Sequence, residues 1–332
     1  MQFPLLKLAA IDIGSNAVRC QISAVLHHED RYRLKRVEYI RYPLRLGEDV
    51  FATGRISEPK QAKFIKLLHA LRLLMEVHDV APNHYLICAT SAMRTAVNGP
   101  EVAALIQHEL GMRVNVIDGQ AEALYINRVI EHLLEDNKHY LHIDVGGGST
   151  EFNIYHNRRK VASQSFEVGS IRRMQQEEAG LSTDAMRATW QRMEDWVREN
   201  GRRYQVSRAI GTGGNINKLY SMAQAGTALD RPVSRQRIAD VLKSITEMSM
   251  DERVNVALLN PDRADVIVPA GHIYVSAMEW ADVQHMFVPD IGLKDGMLQT
   301  LFEEHFEEFR ARDDHRPGGP TTTIKSRPTE IE

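Results

Sequence analysis

The sequence predicts an α/β protein built from two similar halves. Three observations carry this. Strand-like and helix-like runs alternate along the chain, and the pattern starts again near residue 141. The segments IDIGSNAVRCQIS (from Ile11) and IDVGGGSTEFNIY (from Ile143) also share one design: an apolar strand ending in an aspartate, a turn of small residues, then a second strand. The two aspartates, Asp12 and Asp144, lie 132 positions apart.

In the first half, apolar and β-branched runs predict strands over 8–13, 21–26 and 32–40. A helix starts near Ser57, a suitable N-cap, with Pro59 tolerated in its first turn. Phe64, Leu67, Leu68, Leu71 and Leu74 form its apolar face. Then come a strand over 85–89, a helix over 100–110 closed by Gly111, a strand over 114–117 and a helix over 121–134. The second half opens with strands over 141–145, 151–155 and 160–166, the last two joined by a hairpin turn at 157–159. Met186, Trp190, Met193 and Val197 stripe a helix ending at Gly201, and residues 207–210 form a strand. Further helical segments follow, and the last helix runs from about 293 to 309. From 311 onward almost nothing apolar is left to bury, so a disordered tail is expected over 311–332.

At 332 residues, with 43% hydrophobic and 26% charged, the chain supports two domains with real cores. A net charge of −3 provides no basic field, so DNA is not an expected partner. Cys20 and Cys88 both sit in apolar runs, too few for a disulfide framework or a zinc cluster, which favours a reducing compartment. MQFPLLKLAAID lacks the basic leader and cleavage site of a signal peptide, and no apolar run approaches the roughly 20 residues of a membrane helix. The expected location is the cytoplasm, with no membrane partner.

The glycine turns carry the chemistry. IDVGGGSTEF lacks the Gly-Lys-Ser/Thr of a Walker loop, and Glu151 stands where a dinucleotide fingerprint has its last glycine. A strand–turn–strand hairpin remains. Glycines let backbone N–H groups converge on an anion, with Ser149 and Thr150 adding hydroxyl donors. Asp144, just before the turn, is placed to hold Mg²⁺ directly or through water. A tight hairpin with solvated polar residues is the alternative reading of one such loop. Asp12-Ile-Gly-Ser-Asn16 repeats the chemistry, and Gly211-Thr-Gly-Gly214 is a third strand-end loop. Three together favour a phosphate site.

These pieces, with RLGEDVFATGRIS, CATSAMRTAVN, VIDGQAEAL, FEVGSIRRM, RADVIVPAG and IGLKDGML, resemble the exopolyphosphatase / guanosine pentaphosphate phosphohydrolase (Ppx/GppA) family of the actin–Hsp70–sugar-kinase (ASKHA) superfamily, in family order from Ala10 to Leu298. The resemblance implies two actin-like, ribonuclease H-like domains around an interdomain cleft. Domain I would span 1–125 and domain II 126–297, with a C-terminal helix over about 298–310 returning to domain I. It also implies a short family member, a homodimer, and release of terminal phosphate from polyphosphate or guanosine pentaphosphate with Mg²⁺, or Mn²⁺.

By the same resemblance, Glu122 in DGQAEA is the catalytic base and Glu151 its partner. Gly14, Ser15, Asn16, Arg19, Gly146, Gly147, Gly148, Ser149, Thr150, Gly211, Thr212, Gly213 and Gly214 bind phosphate. Arg94, ending TSAMR, points into the cleft to clamp phosphate oxygens. Arg19 is a weaker candidate that could equally be a solvated arginine on the hairpin, and Arg263 either faces the cleft or simply precedes a helix. Asp12, Asp144 and Glu151 are the metal positions. Three residues depart from the family pattern: Ala17 replaces a serine, Ala121 the first glutamate of a pair, and Leu124 an arginine. Each removes a polar or charged group near the site. The short, slightly acidic chain points to short polyphosphate or a phosphorylated nucleotide over long chains. Two other functions stay open: a non-catalytic polyphosphate or alarmone sensor, and an ATP-dependent kinase of the same superfamily.

Overall fold

Asp12 and Asp144 each lie at the end of a middle strand of a six-stranded sheet, and the two sheets are wound alike. The computed structural model of the chain describes residues 6–28, 31–178, 184–224, 231–307, 309 and 330–331. In the first lobe, β1 (Lys7–Ile13), β2 (Val18–His28) and β3 (Arg31–Tyr42) form an antiparallel meander. The helices α1 (Leu46–Thr53) and α2 (Glu58–Val77) follow. Next come β4 (Tyr85–Ala89), α3 (Ser91–Thr95), α4 (Gly99–Leu110), β5 (Asn115–Val116) and α5 (Gly119–Ile130). β4 and β5 extend the sheet in parallel, giving the order β3-β2-β1-β4-β5.

The second lobe repeats that order. β6 (His139–Val145), β7 (Thr150–His156) and β8 (Arg159–Phe166) form the meander. After α6 (Ser170–Glu178) and α7 (Asp184–Arg203), β9 (Arg208–Thr212) pairs in parallel with β6. Then come α8 (Gly214–Ala223), β10 (Val233–Ser234), α9 (Arg235–Glu247), α10 (Met250–Asn255), α11 (Pro261–Ala264) and α12 (Ile267–Trp280). β11 (His285–Phe287) pairs in parallel with β9, so β8-β7-β6-β9-β11 mirrors the first sheet, with β10 at its edge. The repeat read from the two Asp-turn segments is therefore a repeat of topology.

Each lobe buries its own core. Ile11, Ile13 and Ile22 of the first sheet pack on Phe64, Leu68 and Leu71 of α2. Ile143 and Phe152 of the second pack with Met193, Val197 and the apolar face of α12. Ser57 is the N-cap residue of α2 and Gly111 closes α4 at φ 67, as the turn chemistry requires. Asn157 and Arg158, at φ 48 and 62, make the β7–β8 turn.

The last helix, α13 (Leu293–Glu304), leaves the second lobe and lies across β1 and α5 of the first. Met297, Leu298, Leu301 and Phe302 bury themselves against Leu8, Ala10 and Cys88. Gly296 makes the approach close: a Cβ there would stand 2.0 Å from the Tyr125 carbonyl oxygen.

Several details differ from the sequence reading. α1 and α3 were not predicted, because each is a short helix whose packing, not its periodicity, decides it. The helix expected over 121–134 starts earlier and ends at Ile130 in a single 3₁₀ turn, Glu131–Leu133. Position 125/126 falls inside α5, one continuous helix. The expected tail lies outside the described residues over 311–329 and at 332, but Glu330–Ile331 forms β12, paired in parallel with Arg33 and Leu34 of β3.

Candidate active site

The two Asp-turn hairpins are closed in the same way. The Gly14 N–H donates to the Ala17 carbonyl at 3.1 Å, and the Gly146 N–H to the Ser149 carbonyl at 2.9 Å. The turns meet across the cleft. A Cβ on Gly147 would lie 2.8 Å from the Ser15 Cβ, and one on Gly148 would lie 2.3 Å from Phe51 Cζ and 2.4 Å from Ser91 Oγ. Glycine is what lets the two backbones come this close. From below, α8 presents its N-terminus at Gly213, held at φ 114, and Gly214. Between these loops lies a cavity of about 310 Å³.

Acidic groups gather on one side. α5 begins at the N-cap Asp118, whose side chain accepts from the Ala121 N–H at 2.8 Å, and this places Glu122 in the first turn at the cavity wall. Glu122 Oε2 is buried and meets no hydrogen-bond partner among the described residues. Burial, then the nearby Glu151, Asp144 and Asp12, push the Glu122 carboxyl well above the usual carboxylate range, with Arg94 opposing. Burial raises Glu151 to about 7, helped by Asp144 and opposed by hydrogen bonds from Ser149 and Ser165. Asp144 rises to about 6 by burial, against a Thr212 hydrogen bond and Arg19. Clustered, desolvated carboxyls of this kind are the raw material of proton transfer.

Cations line the other side. Arg19 Nη1 bridges Asp12 Oδ2 at 2.8 Å, and Arg263 Nη1 donates to the Gly214 carbonyl at 3.1 Å. Burial lowers the Arg263 pKa, and the charges of Arg41 and Arg19 lower it further, a repulsion that an entering anion would relieve. Asp262 in α11 accepts from Arg41 and from Asn16 Nδ2 (3.3 Å) of the first lobe. Asp265 accepts from Arg45 Nη2 at 2.5 Å. These pairs join the lobes at one edge of the cleft.

Of the predicted residues, Asp12, Gly14, Ser15, Asn16, Arg19, Glu122, Asp144, Gly146, Gly147, Gly148, Ser149, Gly213 and Gly214 line the cavity. Five lie elsewhere. Arg94 is exposed and donates to the Ile117 carbonyl at 2.7 Å, tying α3 to the end of β5, close enough for its charge to act on Glu122 and Glu151. Thr150 is wholly buried, its hydroxyl committed to the Val168 carbonyl at 2.5 Å. Glu151 stands behind the turn and accepts from Ser165 Oγ at 2.8 Å. Gly211 packs on Met286 and Ile216 inside the core. Thr212 is buried beside its register partner Asp144, and its hydroxyl bonds to His142 Nε2 at 2.9 Å. Strand alternation explains this: one residue past the turn, a side chain belongs to the sheet.

The sequence reading missed Tyr39, Arg41, Ser91, Ser170, Asn215 and Lys294 on the cavity wall. Arg41 sits on a strand far in sequence from any turn, so only the fold brings it in. Ser91, Ser170 and Lys294 lie in CATSAMRTAVN, FEVGSIRRM and IGLKDGML, already matched as pieces, and those were the signals available. Among the described residues, no three His, Cys, Asp or Glu side chains converge as a metal-ligand set, and no helix is long and apolar enough to cross a membrane.

Comparison with known proteins places these features in a group. Residues 24–305 match the model of the Ppx/GppA phosphatase family. The chain is 29% identical over 324 residues to a Mycobacterium tuberculosis protein named Exopolyphosphatase 2, covering 90% of this chain and 99% of that one. Among solved structures, an exopolyphosphatase from Cytophaga hutchinsonii superposes with a TM-score of 0.77 at 22% identity, covering 90% of this chain and 98% of the other. The Aquifex aeolicus Ppx/GppA family member gives 0.70 at 23% identity, covering 92% and 99%.

Proposed function

The chain belongs to the Ppx/GppA phosphatase family, and from that premise we propose that it is a phosphohydrolase of exopolyphosphatase type, releasing terminal phosphate from short polyphosphate or guanosine pentaphosphate. One observation carries the site assignment. Glu122 holds a buried, unpartnered carboxylate oxygen at the wall of a cavity whose other walls are glycine turns and arginines. An acceptor left unpaired in such a place suits a water molecule about to lose its proton.

The steps follow from this chain's own residues. A phosphate chain lies along the turns at Ser15–Asn16 and Gly147–Ser149 and the start of α8 at Gly213–Gly214, with Arg19 and Arg263 neutralising its oxygens. Glu122 accepts the proton of the attacking water as that water adds to the terminal phosphorus and the bridging oxygen departs. Glu151 keeps the Glu122 proton affinity high by its nearby charge.

The donor set fits Mg²⁺, or Mn²⁺, brought in with the phosphate chain, because such an ion takes one or two carboxylates and keeps its waters. Asp144 and Asp12, which line the cavity, would hold it; the Glu151 carboxylate is engaged by Ser165 outside that lining. When bound, the ion would neutralise charge on the phosphate oxygens.

Two features favour short chains: the cavity is small for a ligand pocket, and the Arg41–Asp262 and Arg45–Asp265 pairs bar one edge of it. The test is phosphate release with Mg²⁺ from short polyphosphate, long polyphosphate, guanosine pentaphosphate and ATP. Release from a short chain or the pentaphosphate without any acceptor is expected. No release from any of the four would overturn the hydrolase reading, and faster turnover of long chains would overturn the length preference.

A further inference from the structure

Beneath Asp144 runs a file of polar side chains, buried except for Ser163 at its outer end, that the reaction as described does not use. Ser163 Oγ lies 2.7 Å from Asn153 Oδ1, Asn153 Nδ2 lies 3.0 Å from His142 Nδ1, and His142 Nε2 lies 2.9 Å from Thr212 Oγ1. Thr212 is the register partner of Asp144 on the adjoining strand, and its hydroxyl holds down the pKa of the Asp144 carboxyl. His142, Asn153 and Thr212 are all at most 2% exposed. The file crosses four neighbouring strands, β8, β7, β6 and β9: Ser163, Asn153 and His142 are register partners, and Thr212 lies one step further along, opposite Asp144.

We propose that His142 is a positioning residue, which fixes the Thr212 hydroxyl so that its proton points at Asp144. The proposal rests on the phosphohydrolase reading only in giving Asp144 a task. The direction of the file follows from donor and acceptor chemistry. Asp144 as a carboxylate can only accept, so the Thr212 hydroxyl donates to it. Thr212 Oγ1 must then accept from His142 Nε2–H. The bare His142 Nδ1 accepts from the Asn153 amide, and Asn153 Oδ1 accepts from Ser163. Every donor and acceptor is used once in this arrangement. Reversing any member reverses them all and leaves Asp144 without its donor.

A second tie keeps the backbone independent of this file. Tyr274 Oη donates to the Thr212 carbonyl at 2.5 Å and accepts from the Val145 N–H at 3.1 Å, pinning β6 to β9 on its own. Losing the imidazole should therefore free a hydroxyl rotor without moving the strands.

The test reads the tautomer directly. In ¹⁵N-histidine-labelled protein at pH 7, the ring signals that vanish in His142→Gln should show a protonated Nε2 and a bare Nδ1. A protonated Nδ1, or an imidazolium, would overturn the proposal. In phosphate release, His142→Leu should lower kcat about 10- to 100-fold with little change in KM, as loss of an outer hydrogen-bonding partner does. His142→Gln, whose amide donates from a similar place, should recover most of that loss. Thr212→Val should match His142→Leu, and the double variant should be no worse than either. Equal kcat in His142→Leu and wild type would also overturn the proposal. If the wild type releases no phosphate at all while the Nε2–H tautomer is present, the hydrogen-bond file is supported and it is the activity reading that fails.

Discussion

Arg41 on β3 and Asp262 on α11 are paired across the cleft, one from each lobe, with side chains only 12% and 9% exposed. Asn16 reinforces the pair by donating to the Asp262 carbonyl at 3.0 Å. Asp262 therefore occupies a guanidinium that faces the cavity and would otherwise be available to phosphate. Asp262→Asn should release Arg41 and tighten binding of longer polyphosphate by about tenfold, or about 1.4 kcal/mol. Comparing KM across chain lengths in the two proteins checks this. An unchanged or higher KM would mean that the pair does not compete with substrate.

Glu122→Gln keeps the shape of the side chain and removes its ability to take a proton. The kcat for phosphate release should fall about 10²- to 10⁴-fold with KM nearly unchanged, while far-UV circular dichroism stays the same. Full turnover in a folded Glu122→Gln protein would remove it from the role of base.

Stability should fall with rising pH across the range where these carboxyls titrate. Glu151 has an ordinary value of 4.5 and a folded value of about 7, so between them the native state keeps a proton that the unfolded chain has released. Ionising it in the folded protein is unfavourable, by an upper limit of about 3 kcal/mol. Asp144, raised from 3.8 to about 6, acts in the same direction slightly lower in pH. Glu151→Gln should therefore be more stable than wild type at pH 8 by about 1–3 kcal/mol and nearly equal to it at pH 4. Urea unfolding at the two pH values, without divalent ions, measures this. Activity should move the other way, rising with pH as Glu122 ionises.

Two glycines separate stability from activity. An alanine at Gly296 would push its methyl to 2.0 Å from a backbone carbonyl, which can move only if α13 shifts off α5. An alanine at Gly148 would meet the Phe51 ring and the Ser91 hydroxyl, which can rotate away, but it would part the two turns. Gly296→Ala should cost about 1–3 kcal/mol or more in thermal unfolding, and Gly148→Ala should lose more activity than stability. The reverse ranking would contradict this account of the interlobe contact.

The parts of the fold legible in the sequence were those set by local pattern. Alternation marked the strands around Asp12 and Asp144, the Ser57 and Gly111 boundaries followed from cap chemistry, and the halves matched because both hairpins repeat one motif. What stayed hidden depends on distant contacts. α1 and α3 are too short to announce themselves, and Arg41 enters the site only because β3 lies beside β2. The turn residues were legible as cavity lining, but their neighbours were not. Motif reading counted Thr150, Gly211 and Thr212 with the loops, whereas the pleat turns them into the sheet. Arg94, read from TSAMR as a phosphate clamp, has one guanidinium nitrogen on the Ile117 carbonyl, a partner that no motif announces.

The docking of α13 on β1 and α5 sets an order of events at the ribosome. The first lobe lacks the helix that covers Leu8, Ala10 and Cys88 until residues 293–304 have been made, whereas the apolar core of the second lobe draws on strands and helices between 139 and 288. During synthesis, the lobe translated second can finish folding before the one translated first. The earlier lobe must wait with an apolar face bare, an interval in which a chaperone would find its binding site.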